Sequence, residues 1–186
     1  MSISTTSIPL TAGRWAVDVT HTSVGFTIRH LGVSKVRGRF NTFTVDVVVG
    51  TDLASTRVDA SVALDSIDTG NRDRDANVKV PEILDVARRP TLTFSSRSIS
   101  ALEDDGSFAI TGDVTIGDVA RPLTLHATFG GAQPFHGPLH AGFEAVADLR
   151  RKDFGIGVNI PNAALGDVVR IELDVQLVEP QPPGPA

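Results

Sequence analysis

The chain has 186 residues, of which 41% are hydrophobic, and its 17 basic and 22 acidic side chains give a formal net charge of −5. This length fits one well-buried domain, and the acidic balance argues against nucleic-acid binding, which needs a basic face to displace counterions. The absence of cysteine excludes disulfides, thiolate nucleophiles and cysteine-ligated metal sites.

The first 13 residues form an N-terminal extension without the basic start and apolar run of a secretory signal. No later segment approaches the ~18 consecutive apolar residues of a membrane-spanning helix. We therefore expect a cytoplasmic protein with no integral membrane segment.

Alternation of apolar and polar residues predicts half-buried β-strands along most of the chain. Two long strands are predicted over 15–30 and 36–49, joined near 31–35. The clearest strand is the last, 169–177, in which every second residue is Val, Ile or Leu. The other predicted strands cover 57–64, 90–99, 107–116, 123–129 and 143–150. Gly-rich or Asp-rich turn signals lie between strands, among them Gly130-Gly131.

Residues 68–87 break this pattern, and we predict a short helical insertion around 70–87. It would hold one or two helices divided near Pro81, with Thr69 or Asn71 as the first N-cap. A second irregular stretch, 156–167, is rich in Gly and Asn. The Pro-rich tail 179–186 cannot join a sheet and is expected to be mobile.

An all-β fold with about eight amphipathic strands buries its apolar faces and loses its exposed edges by closing into a barrel. At eight strands the interior is either filled by side chains or holds one small ligand. Small residues expected on the inner face favour a cavity: Ala60, Ala127, Ala145 and Ala147. A fully packed barrel or sandwich remains open on pattern alone.

Four stretches carry more specific information. They contain the motifs WAVDVTHTSVGF from Trp15, DTGNRDRD from Asp68, GDVTIGDV from Gly112 and RKDFGI from Arg151. In order and spacing, from about Arg14 to Val178, the chain resembles the bacterial YceI-like family, the lipid- and polyisoprenoid-binding domain.

The resemblance implies that residues 14–178 form an eight-stranded, up-and-down antiparallel barrel like an extended lipocalin, with a helical insertion. It further implies non-catalytic sequestration of a long isoprenoid, isoprenoid quinone or similar amphiphile in the barrel. This chain has Asn77 where the family usually has His, and Ile83-Leu84 where the family usually has two aromatic residues. Both departures concern the identity of the ligand rather than the fold.

A polyprenyl chain needs an apolar tunnel, and a phosphate or quinone head needs hydrogen-bond donors at its mouth. The predicted head-group residues are Arg72, Arg74, Asn77 and Lys79, although a solvated helix face paired with neighbouring aspartates is the alternative. No cofactor or metal is expected. The predicted apolar lining comprises Phe26, Ile28, Phe40, Val62, Leu64, Leu84, Phe94, Ile110, Leu125, Phe143 and Phe154.

The positions of the histidines argue against a metal site and against a catalytic triad. His136 and His140 have a spacing that suits a metal on a helix, but Gly137 and Pro138 lie between them. A triad of Asp18, His21 and Ser23 is disfavoured because Asp18 and His21 would point to opposite faces of one strand.

Two other functions remain open at this stage. One is an isomerase-like or cyclase-like enzyme acting on a small hydrophobe, which needs an inward-facing acid–base group. The other is a stress-related interaction protein with a packed barrel. A homodimer is the default assembly for a small soluble barrel.

Overall fold

The computed structural model describes residues 9–180, which form eleven β-strands, one α-helix and two short 3₁₀ helices. The α-helix, α1, is Arg72–Val78, and the 3₁₀ helices are Leu64–Ser66 and Arg151–Phe154. The strands are β1 Gly13–Val17, β2 Ser23–His30, β3 Ser34–Phe40, β4 Phe43–Val49, β5 Arg57–Ala63, β6 Ile67–Asp68, β7 Thr91–Ile99, β8 Ser107–Ile116, β9 Val119–Pro134, β10 Leu139–Arg150 and β11 Leu165–Val178.

Eight strands close into an antiparallel barrel in the order β1-β4-β5-β7-β8-β9-β10-β11, and β11 pairs back with β1. The remaining strands, β2, β3 and β6, extend the sheet from the N-terminal part of β11. The predicted eight-stranded antiparallel barrel with a short helical insertion is therefore confirmed. No helix in the part of the chain that the structure describes is long and apolar enough to cross a bilayer.

The two long strands predicted over 15–30 and 36–49 are wrong in one respect, because each is broken in the middle. The Asp18 carboxylate accepts a hydrogen bond from the Thr20 amide at 3.0 Å and closes a turn between β1 and β2. At the β3–β4 corner, the Thr42 amide donates to Ser66 Oγ at 3.0 Å. The breaks let β1 and β4 complete the barrel while β2 and β3 bend outward beside the start of β11.

The turn predicted at Gly130-Gly131 is also wrong, since both glycines lie inside β9. Gly131 pairs with Gly142 across the β9–β10 ladder, and the register shifts between Gly142 and Phe143. Gly131 has a φ of 110°, a conformation that suits glycine at an irregularity in a ladder. The β9–β10 hairpin consequently extends to Pro134 and Leu139.

The insertion holds one α-helix followed by turns. The Asn71 side chain caps α1 by accepting the Arg74 amide at 3.0 Å. After the helix, the Val80 carbonyl accepts the amides of Ile83 and Asp85, each at 3.0 Å. These turns fold residues 80–86 under the barrel, where Ile83 packs against the core.

Only the first two residues of the predicted mobile tail belong to the described residues, and 181–186 lie outside them. Glu179 is held in place: its amide donates to the Leu139 carbonyl at 2.9 Å, and its carboxylate accepts from Thr11 Oγ1 at 2.8 Å.

Candidate functional site

Two adjoining cavities occupy the interior of the protein. One of about 430 Å³ lies inside the closed barrel and is called the barrel cavity. The other, of about 600 Å³, lies between β2, β3, α1 and the loop after β10 and is called the helix cavity. Each volume falls within the ~300–1,000 Å³ typical of small-molecule sites.

The cavities lie end to end along the barrel wall. On β10, Phe143 and Ala145 line the barrel cavity, Leu149 lines both, and Arg151 just beyond the strand lines the helix cavity. β11 shows the same succession through Val175, Ile171 and Val169. Both spaces are therefore presented by one continuous inner face, which continues from the closed barrel into the widened region under α1.

The barrel cavity is apolar except near its outer end. Its walls are mainly Val, Leu, Ile, Ala and Phe side chains, and the one charged lining residue within 9–180 is Asp52 in the β4–β5 loop. Hydrogen bonds from Ser55, through its hydroxyl at 2.6 Å and its amide at 2.8 Å, hold the pKa of Asp52 below its usual value. This end of the barrel therefore carries an ionised carboxylate.

The helix cavity also has polar residues at its mouth. His30, Asp73 and Asn77 line it and are solvent-exposed, so the cavity reaches the surface between the end of β2 and α1. Arg74 and Thr69 add hydrogen-bonding groups at the same place. In the part of the chain that the structure describes, the positively charged lining residues, Arg74 and Arg151, belong to this end.

The structure distributes ten of the predicted lining residues over the two cavities. Phe40 lines both of them. Val62, Phe94, Ile110, Leu125 and Phe143 line the barrel cavity, and Phe26, Ile28, Leu64 and Leu84 line the helix cavity. That these side chains contact a ligand stays a prediction.

Phe154 is the exception among the predicted lining residues. It is 2% exposed and packs in the core with Leu64 and Ile156, outside the lining of either cavity. Its carbonyl accepts a hydrogen bond from Arg89 Nη1 at 2.6 Å. Arg89 Nη2 also donates to the Ile83 carbonyl at 2.9 Å, so this arginine joins the second 3₁₀ helix to the insertion.

The four predicted head-group residues are divided by the periodicity of α1. Asp73, Arg74, Asn77 and Val78 occupy the face that lines the helix cavity. At about 100° per residue, Arg72 and Lys79 fall on the opposite side of the helix. The structure therefore brings Arg74 and Asn77 to the mouth and leaves the other two away from it.

Arg74 is oriented before any ligand arrives. Its Nε donates to Thr69 Oγ1 at 2.7 Å, and its Nη2 donates to the Thr69 carbonyl at 2.8 Å. Asp75 in turn accepts the Thr69 hydroxyl at 2.6 Å and the Thr69 amide at 2.9 Å. A guanidinium fixed in this way is suited to a polar head group because little rotamer freedom remains to be lost.

Arg151 is a lining residue that was not predicted from the sequence. It is 1% exposed, lines the helix cavity and donates to backbone carbonyls in the loop behind it and at the start of β11. The acceptors are the carbonyls of Ile156, Gly157, Ile160, Leu165 and Gly166. Burial lowers the pKa of Arg151, while the negative charge of Asp167 raises it. Arg151 thus organises the loop that forms one wall of the cavity.

A signal for Arg151 was present in the sequence. Alternate residues of β10 face inward through Leu149, so the next inward position is 151. The same rule would have found Leu149 and Ile171, which lie on predicted strands and line both cavities.

The prediction that Asp18 and His21 point to opposite faces of one strand is wrong. The two residues belong to the turn between β1 and β2, where His21 Nδ1 lies 2.8 Å from Asp18 Oδ2. Hydrogen bonds from the Thr20 side chain and then from His21 hold the pKa of Asp18 well below its usual range. This exposed cluster stabilises the turn and is not part of the lining of either cavity.

His136 and His140 flank the ring of Phe135, with ring-centroid separations of 4.1 and 5.6 Å. Among residues 9–180, no group of three His, Asp or Glu side chains converges in a way that could hold a metal ion.

Comparison with known proteins agrees with this architecture. The model of the YceI-like domain matches residues 15–177. A UPF0312 protein of Vibrio vulnificus is 34% identical over 158 residues, covering 84% of this chain and 81% of the relative. The crystal structure of the Campylobacter jejuni YceI protein has a TM-score of 0.74 and 25% identity, covering 88% of this chain and 96% of that chain.

A polyisoprenoid-binding domain from Saccharophagus degradans, implicated in plant cell wall breakdown, shares the fold. Its TM-score is 0.64 at 11% identity, covering 91% of this chain and 100% of that domain. At this identity the likeness shows the fold alone. The family model and the Vibrio relative, each covering most of the chain, establish that the protein belongs to the YceI-like family.

Proposed function

We propose that this protein binds and shields a long isoprenoid-type amphiphile, such as a polyprenyl lipid or isoprenoid quinone, without catalysing a reaction on it. The observation that carries the proposal is the pair of apolar cavities lying end to end, with Arg74 and Asn77 at one mouth. The Saccharophagus neighbour, named as a polyisoprenoid-binding domain, supports the same ligand class.

The ligand is proposed to lie with its head at the helix cavity and its tail in the barrel cavity. Among the described lining residues, the charged groups at the helix end are two arginines, Arg74 and Arg151, and one carboxylate, Asp73, whereas the charged group at the barrel end is the carboxylate of Asp52. A phosphate or quinone oxygen is stabilised by donors and repelled by a carboxylate. The apolar tail needs no directional contacts.

Chain length should determine affinity. Burying roughly 300 Å² of isoprenoid surface contributes about 7 kcal/mol at ~25 cal/mol per Å². Association itself costs an estimated 4–15 kcal/mol, so a chain that fills one cavity gains little net affinity. We therefore expect affinity to rise with the number of isoprene units until both cavities are filled.

The enzyme alternative is less well supported by the groups that line the cavities. His30 and Asp73 line the helix cavity, but both are exposed at its mouth. A general acid at neutral pH needs a raised carboxyl pKa, and Ser55 lowers that of Asp52. Among the described lining residues, the buried ionisable one is Arg151, and backbone carbonyls surround its guanidinium. The packed-barrel alternative requires a filled interior, which the two cavities contradict.

A chain-length series tests the proposal. Purified protein stripped of lipid would be titrated with polyprenyl phosphates of increasing length. Ala145→Leu adds volume inside the barrel cavity, and Ala120→Leu adds the same volume on the exposed side of β9. We expect Ala145→Leu to weaken long ligands selectively while Ala120→Leu matches the wild type. Equal affinity for all lengths, or no binding, would refute the proposal.

The cytoplasmic location and the homodimer are further parts of the proposal. Cell fractionation tests the first, and light scattering of the purified protein tests the second.

A further inference from the structure

The tip of the β2–β3 hairpin exposes apolar side chains to solvent. Leu31 is 57% exposed and Val33 is 82% exposed, on either side of Gly32. Val158, in the loop that follows the second 3₁₀ helix, is exposed as well. Single exposed apolar residues are ordinary, but two within three residues at a hairpin tip form a projecting apolar point.

The backbone conformation at position 31 disfavours leucine. Leu31 has a φ of 52°, in the left-handed region where glycine, Asn and Asp are the favoured residues. Its side chain gains little from burial at this exposure. A strained backbone that holds an exposed apolar side chain therefore points to a function for that side chain.

The outer face of the same hairpin carries a row of cations. Arg29 pairs directly opposite Lys35, and Arg37 and Arg39 continue the row on the same face. Like charges directly opposite each other destabilise a sheet. Of the described ion pairs, one joins Arg39 to Asp68, and none involves the other three cations. A strongly basic strip thus lies on a protein whose net charge is −5.

This basic and apolar tip adjoins the mouth of the helix cavity. His30, the last residue of β2, lines that cavity. The Leu31 amide donates to the Ala164 carbonyl at 2.9 Å, and Ala164 is another lining residue. Leu31 is therefore adjacent, both along the chain and through a hydrogen bond, to the wall of the opening.

We propose that the β2–β3 tip docks this protein on an anionic phospholipid bilayer. Leu31 and Val33 enter the headgroup region, and Arg29, Lys35 and Arg37 contact lipid phosphates. Charge complementarity identifies the partner, since each Lys or Arg near an anionic membrane surface adds attraction and an apolar point adds burial. The helix cavity then opens toward the membrane, so an amphiphile passes between bilayer and barrel without crossing water. This transfer role rests on the proposed function, whereas the docking does not.

Vesicle co-sedimentation tests the docking with vesicles that contain no isoprenoid. One set would be phosphatidylcholine mixed with phosphatidylglycerol, and the other phosphatidylcholine alone. We expect binding to the anionic set, weakened in about 1 M salt because the Debye length falls to ~3 Å. Lys35→Gln with Arg37→Gln should lower the partition coefficient about 20- to 30-fold, at about fivefold per cation.

The tip variant Leu31→Asn with Val33→Ser should lower anionic-vesicle binding at least fivefold while the unfolding midpoint stays equal or rises, because Asn tolerates the left-handed φ. Phe135→Ser, which removes an exposed apolar residue at the opposite end of the barrel, should bind like the wild type. Equal binding of the wild type and both hairpin variants, or no binding to anionic vesicles, would overturn the proposal. Self-association lost in the tip variant, without vesicle binding, would instead assign the tip to a second copy and also overturn it.

Lipid extraction from the purified protein separates the two proposals. If the purified protein carries an isoprenoid but does not bind vesicles, the proposed function is supported and the docking is refuted. If the protein binds vesicles but neither carries nor takes up an isoprenoid, the docking is supported and the proposed function is refuted.

Discussion

Replacing Arg151 by methionine tests whether the buried guanidinium holds the wall of the helix cavity. The side chain donates to carbonyls of five residues between Ile156 and Gly166. Methionine keeps much of the volume and removes every donor. A buried acceptor left without a partner costs about 1–3 kcal/mol, although carbonyls near the surface regain water. We therefore expect a loss of about 3–5 kcal/mol in the free energy of unfolding.

This loss is large because a domain of this kind is stabilised by only ~5–15 kcal/mol in total. Urea unfolding measures it, and hydrogen exchange should show reduced protection in residues 155–166 before the barrel strands change. Arg151→Lys should be nearly as damaging, since an ammonium cannot reproduce the spread of guanidinium donors.

The neighbouring Arg150 provides a matched control. Its side chain is mostly exposed and lies 3.2 Å from Asp167, so Arg150→Met should cost no more than about 1 kcal/mol. If Arg151→Met and Arg150→Met lose the same free energy, the assigned role of Arg151 is refuted.

Three further predictions concern the insertion, the cavity wall and acid stability. Asn71→Ala removes the cap of α1 and should lower the free energy of unfolding, measured in urea, by about 1 kcal/mol. It should also weaken the binding of charged head groups. An unchanged free energy of unfolding would contradict the capping role. In Gly38→Ala the added Cβ lies 2.6 Å from Phe26 Cε1, so the ring must move. We expect a loss of about 1–3 kcal/mol in the free energy of unfolding and a changed preference for ligand length. Wild-type stability together with wild-type length preference would contradict this packing argument. The lowered pKa of Asp18, set by Thr20 and then His21, contributes stability that is present above the unfolded carboxyl pKa of ~3.9 and is lost as pH falls through the folded value. The difference in unfolding midpoint between wild type and Asp18→Asn should therefore shrink on acidification below about pH 4, and growth of that difference would contradict the assignment.

The barrel strands were predictable where one face is buried and the other solvated. β11 is the clearest case, because its alternation matches the residues that line the cavities. The break between β1 and β2 was overlooked, because the Val and Thr residues around Asp18 continue the strand pattern. Asp18 itself was a turn signal, since Asp is depleted in strands and here accepts the amide of Thr20, two residues on. The Gly130-Gly131 turn failed because glycine serves irregular ladders as well as turns.

The candidate site was predictable in composition but not in extent. Alternation identifies inward residues, yet whether they fill the interior or leave space depends on how far opposite walls stand apart. Arg74 lines the helix cavity and Arg72 does not, because of the way α1 is oriented. The sequence of α1 does not predict that orientation, since charged residues occupy both of its faces. Arg151 was overlooked because an arginine is expected at the surface unless its acceptors are known, and these are backbone carbonyls.

Mass spectrometry of the lipids extracted from natively purified protein tests the central claim most directly. We predict one isoprenoid-type amphiphile in near-stoichiometric amount, long enough to occupy both cavities, and reduced in Ala145→Leu but not in Ala120→Leu. Protein that carries no lipid and gains no thermal stability from added polyprenyl phosphates or isoprenoid quinones would contradict it.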